Sequence, residues 1–120
     1  MKAGDIILFS GDGILSGLIK AVQMSQWSHV GVMISPIELL ESTTITRIRS
    51  LITGDKVKGV QVVNLDERIK TYNGDMAVRP IICANEFRLD YIEKTLKEFS
   101  VIHHGKPYEK NELELIKSLK

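Results

Sequence analysis

His29 carries the chemistry that is easiest to read in this chain. It sits in the run Ser28-His29-Val30-Gly31-Val32-Met33-Ile34, which alternates with a period of two. Val30, Val32 and Ile34 fall on one side, and His29, Gly31 and Met33 on the other. The spacing predicts a short strand whose aliphatic side faces a core. Gly31 leaves open space beside the ring, as a general base that must meet a second group requires. A half-buried histidine bonded to a backbone carbonyl fits the same pattern.

A partner for the imidazole follows in sequence. Ser35-Pro36 is a turn signal, and Ile37 to Ser42 is a second short apolar run. An antiparallel hairpin turning about Ser35 sets Glu41 directly opposite His29. Opposed side chains share a face, with Cβ atoms about 4.5–5.5 Å apart. A carboxylate there holds the ring tautomer and stabilises an imidazolium. A register displaced by one residue sends Glu41 to the other face.

Candidate nucleophiles are few. Cys83 is the single cysteine. It closes the apolar run Val78 to Ile82 just ahead of a helix beginning at Asn85. A reactive thiol needs a helix N-terminus or a cationic neighbour; otherwise cysteine behaves as a small buried residue. Ser28 and Ser42 stand in no nucleophile-elbow pattern. His103-His104 with His29 could be metal ligands, but adjacent histidines on a helix diverge and no acid or cysteine lies at ligand spacing. The simpler reading sets these histidines against a helix dipole, and neither metal nor cofactor is expected. Trp27 either walls a cleft beside His29 or packs on the sheet. Tyr108 either positions substrate or anchors its loop. Gly11-Asp12-Gly13 lacks the P-loop lysine and reads as a turn.

The elements that must position these groups are legible at coarse grain. Asp5 to Phe9 is a strand with apolar residues on both faces, which predicts burial on two sides. Asp12 caps a helix bearing Ile14, Leu15, Leu18, Ile19 and Val22. Thr43 to Thr53 fits helix and strand about equally. Gly54-Asp55-Lys56 is a turn, and Gly59 to Val63 is a strand. Asn64 and Glu67 stand at capping-box spacing, so Leu65 to Tyr72 is a short helix ended by Asn73-Gly74. Met76 to Cys83 is a strand that Pro80 confines to an edge or a bulge. From Asn85 a longer helix carries Leu89, Ile92, Leu96 and Phe99 as its apolar stripe, with Gly105 as its C-terminal cap. A last helix, with Leu113, Ile116 and Leu119, runs uncapped to Lys120, which predicts further chain.

Composition sets bounds. The chain has 120 residues with 16 basic and 15 acidic side chains, a formal charge of +1. That fits one domain over residues 1–120, C-terminally incomplete, and gives no field for nucleic acid. One cysteine permits no internal disulfide. Without a signal-peptide pattern or an apolar run of membrane-spanning length, the expectation is a soluble cytoplasmic protein of unknown oligomeric state.

Taken in order, Gly4-Asp5-Ile6-Ile7-Leu8-Phe9, Ser28-His29-Val30-Gly31-Val32, Leu40-Glu41-Ser42, Gly59-Val60 and Gly105-Lys106-Pro107-Tyr108 resemble the circularly permuted branch of the NlpC-type papain-like cysteine peptidases and amidases. That branch includes bacterial and viral hydrolases and is distantly similar to lecithin–retinol acyltransferase. The resemblance spans nearly the whole chain. It implies an α+β fold, a small antiparallel barrel-like sheet packed on helices. It implies a thiol hydrolase acting on a peptide, peptidoglycan or lipid acyl substrate. His29 matches the family's base, Glu41 its acid, and Tyr108 an aromatic residue in the loop before the nucleophile's helix. The family's cysteine follows that tyrosine, and no cysteine occurs between Tyr108 and Lys120. A non-catalytic binding or structural module that keeps the fold is the alternative.

Overall fold

The computed structural model describes residues 1–11, 29–43, 48–81 and 86–107. Their backbone forms β1 (Ile6–Gly11), β2 (His29–Met33), β3 (Glu38–Thr43), β4 (Gly59–Asn64), α1 (Leu65–Thr71), β5 (Gly74–Arg79) and α2 (Glu86–His103). All strand pairings are antiparallel, and the five strands lie in the order β4-β3-β2-β1-β5. The fold is α+β. The sheet is open, with β4 and β5 at its edges, so the expected barrel-like closure is absent among the described residues. No described helix is long and apolar enough to cross a membrane. The helix expected over 14–22 and the last helix lie outside the described residues.

Strand alternation splits the side chains between two faces. Ile7, Phe9, Met33, Leu39 and Val63 share one face, where Leu65 of α1 and Ile48 complete the larger buried cluster. Ile34, Leu40 and Val62 form a smaller cluster on the other face, against which Val32, Val60 and Leu96 of α2 pack. The expectation for β2 holds in part, since Ile34 and Val32 do pack in a core. The larger core lies on the His29–Gly31–Met33 side, and Val30 on the aliphatic side is 54% exposed. β1 likewise seals Ile7 and Phe9 but leaves Ile6 39% exposed. The described coverage differs between the faces: Leu65 and Tyr72 of the α1 region and Ile48 pack on the first, and Leu96 of α2 packs on the second.

Local chemistry sets the element ends. The Asn64 side chain accepts the Glu67 backbone N–H at 3.1 Å, capping α1. β5 stops at Arg79, one residue before Pro80, and is an edge strand, as a proline that cannot donate demands. On α2 the stripe ends differently from its prediction. Ser100 is buried at 3% exposure, while Phe99 is 45% exposed and lies against the His103 ring. Residues 48–55 are turns, neither helix nor strand, with Ser50 buried.

Two long-range ties close the molecule. The Asp5 carboxylate accepts from the Lys2 backbone and ammonium groups at 3.0 Å each, and from the Ile81 N–H at 2.9 Å. At the other edge, the Val60 N–H donates to the Lys106 carbonyl at 2.9 Å and the Gly105 N–H to Val60 at 2.8 Å. Gly59 makes that approach possible. Its φ is +95°, and a Cβ there would collide with the Lys106 carbonyl. Gly54, at φ +78°, faces open space. Urea denaturation should therefore show Gly59→Ala losing about 1–3 kcal/mol beyond what Gly54→Ala loses, because strain is common to both and the backbone collision is not.

Candidate active site

The turn between β2 and β3 decides where His29 and Glu41 meet. Ser35 Oγ accepts the backbone N–H groups of Ile37 and Glu38 at 3.3 and 3.1 Å and donates to Glu38 Oε1 at 2.9 Å. This hydroxyl-built turn places Met33 opposite Leu39 and Gly31 opposite Glu41. The register thus differs by two residues from the one predicted. A two-residue displacement preserves the face, so His29 and Glu41 remain on the same side as diagonal neighbours. The diagonal span is closed by side-chain length. His29 Nε2, the far ring nitrogen, lies 2.8 Å from Glu41 Oε1.

Gly31 of β2 is buried, and the space expected beside it is filled, since a Cβ there would lie 2.8 Å from Leu39 Cδ1. Phe9, directly across from His29 on β1, holds the other side of the ring at 5.2 Å between centroids. The His29 side chain retains 17% exposure and the Glu41 side chain none. Among the described residues, Nδ1 of His29 has no hydrogen-bond partner.

A third member of the site escaped sequence reading. Arg68 of α1 donates through Nε to Glu41 Oε1 at 3.1 Å and Oε2 at 2.9 Å. Its guanidinium carbon lies 4.8 Å from the Phe9 ring centroid and 5.0 Å from that of Tyr72. These two rings meet edge to face at 5.0 Å. The signal was in the helix itself. Leu65, Arg68 and Tyr72 fall three and four residues apart, on one helical face, and the capping box fixes where that face begins. Gln61, opposite Glu41 on β4, is 2% exposed, and its Oε1 is a buried acceptor with no partner among the described residues.

Burial, the largest influence on Glu41, pushes its carboxyl up. The His29 hydrogen bond, the Arg68 charge and the remaining contacts with both residues outweigh it, and the net effect holds the carboxyl below its ordinary value of 4.5. The arrangement suits proton transfer. A carboxylate fixes the Nε2–H tautomer, and the opposite ring nitrogen is left to act as base.

The other candidates fall elsewhere. Ser42 projects to the opposite face from His29 and Glu41, as its pairing with Val60 requires. His104 follows α2, and its Nε2 lies 2.8 Å from Ser50 Oγ, tying the 48–55 turns to the helix end. Among the described residues no cluster of histidine, cysteine and acidic groups could hold a metal ion. Trp27, Cys83 and Tyr108 lie outside the described residues. No protein-family model and no curated protein sequence matches the chain.

Two outcomes follow from a buried carboxylate shared by two donors. Arg68→Ala should cost about 3–5 kcal/mol in chemical denaturation, since it removes the permanent counter-charge of Glu41 and leaves Oε2 buried without its donor. The pH response has a definite sign. Folding lowers the Glu41 carboxyl, so its stabilisation is complete above 4.5 and drains as pH falls through the lower folded value. Urea midpoints across that window should fall more steeply for the wild type than for Glu41→Gln. The lowered Asp5 carboxyl, common to both proteins, cancels in the comparison.

Proposed function

We propose that this domain carries the base and its orienting acid of a papain-like thiol hydrolase of the permuted NlpC type. The observation that carries the reading is the 2.8 Å contact between His29 Nε2 and Glu41 Oε1 at the half-exposed start of β2. In this reading Nδ1 takes the proton of a cysteine thiol. The thiolate attacks an amide, ester or thioester carbonyl, and the imidazolium returns the proton to the departing amine, alcohol or thiol. Water, activated by the same nitrogen, then releases the acyl group.

In this reading the thiol is supplied from outside these 120 residues, with Cys83 as the alternative. Continuing the β2–β3 register by two residues sets His29 beside Thr43, and Thr43 pairs with Gly59, where Lys106 docks. Pro107 is therefore brought to the sheet end that holds His29, but beyond β4 and three strand spacings away, or about 14 Å. The substrate class is a peptide or peptidoglycan amide, or a lipid acyl group.

A non-catalytic module has one observation in its favour. Arg68 already neutralises Glu41, so the cluster is self-sufficient as a pin between α1 and the sheet. Iodoacetamide labelling of the complete natural gene product separates the readings. An activated thiol labels fast, and His29→Ala slows it by roughly 10²-fold or more. Loss of labelling in Cys83→Ser would instead assign the thiol to Cys83. Labelling indifferent to His29→Ala leaves the binding module.

A further inference from the structure

Three groups meet inside the protein at Glu41, and their charges must balance. The carboxylate has no exposed surface, and burial makes an uncompensated charge costly. Two potential cations touch it, from different elements. His29 of β2 reaches Oε1 alone, while Arg68 of α1 spans both oxygens. The remaining neighbours are Gln61 of β4, an uncharged amide, and the Phe9 and Tyr72 rings flanking the guanidinium. Arginine does not surrender its proton in proteins. Among the described residues, then, one permanent positive charge already answers the one buried negative charge.

We propose that Arg68 is a positioning residue that keeps His29 electrically neutral, and so keeps a lone pair on Nδ1, by supplying the counter-charge of Glu41. This rests on the reading of His29 as a base and adds what sets its protonation state. A base must be unprotonated before it acts. If Glu41 had only His29 for company, the cheapest counter-charge would be a second ring proton, and Nδ1 would be spent. Arg68 removes that demand, yet its Nε and the ring still share Oε1, so the ring keeps its orientation. The aromatic faces of Phe9 and Tyr72 hold the guanidinium in place for this.

The test reads the ring directly. Histidine labelled with nitrogen-15 in the ring is placed in the full chain, and His29 is assigned by its loss in His29→Ala. At neutral pH the wild type should show a protonated Nε2 and an unprotonated, pyridine-like Nδ1. Arg68→Met should lose the pyridine-like signal, and Arg68→Lys, which keeps the charge, should retain it. The double variant Glu41→Gln with Arg68→Met removes both charges and should regain it, which also covers the case in which Arg68→Met alone does not fold. Wild-type protein with both ring nitrogens protonated would overturn the proposal. So would a folded Arg68→Met with wild-type ring signals, loss of the signal in Arg68→Lys, or its absence from the double variant. The measurement involves no thiol, so it fails or succeeds separately from the labelling experiment.

Discussion

A carboxylate with no exposed surface must find its partners inside the protein, and Glu41 finds them on two separate elements. That requirement organises the face of the sheet beneath α1. It makes β2 present an imidazole at its first residue and makes α1 turn an arginine inward between Leu65 and Tyr72. It also gives Phe9 and Tyr72 a purpose beyond their hydrophobic area, since each offers a ring face to the guanidinium. Burying such a group is costly, and an apolar substitute would hold α1 down as well.

The two faces of the sheet divide the labour. The face under α1 holds the larger core and the polar cluster together, so the ring rests on rigid packing from Phe9. The face under α2 carries the smaller cluster, Ile34, Leu40 and Val62, with Ser42 beside it. Side chains carried on strands and backed by a buried core are held more precisely than those on loops.

Much of this was legible in the sequence because period and punctuation are local. The alternation from Ser28 to Ile34 marked β2, Asn64 with Glu67 marked the start of α1, and Pro80 marked an edge. The partnership of His29 and Glu41 was legible because only face membership mattered. The Ser35 hydroxyl moved the register by two, and the pair survived. What could not be read was which face would be covered, since that depends on how α1 and α2 dock. Val30 and Phe99 therefore came out exposed, and Ser100 buried. Arg68 was hidden for a related reason. An arginine on a short helix reads as solvated until a buried acid opposite is known. Closure of the sheet was expected from resemblance alone, and the open order β4-β3-β2-β1-β5 answers to strand pairing instead.

That strand order has a consequence for how the chain assembles. β1 to β4 pair with their sequence neighbours, but β5 returns across the whole meander to the outer side of β1, and the tie from Asp5 to Ile81 spans 76 residues. During synthesis β1 waits as a bare edge, with Ile7 and Phe9 unsealed on one flank, until residues 74–81 have emerged. Early-made ends that depend on late-made strands are slow to close and open to wrong partners in the interval. β1 thus depends for its second edge on the last of the described strands.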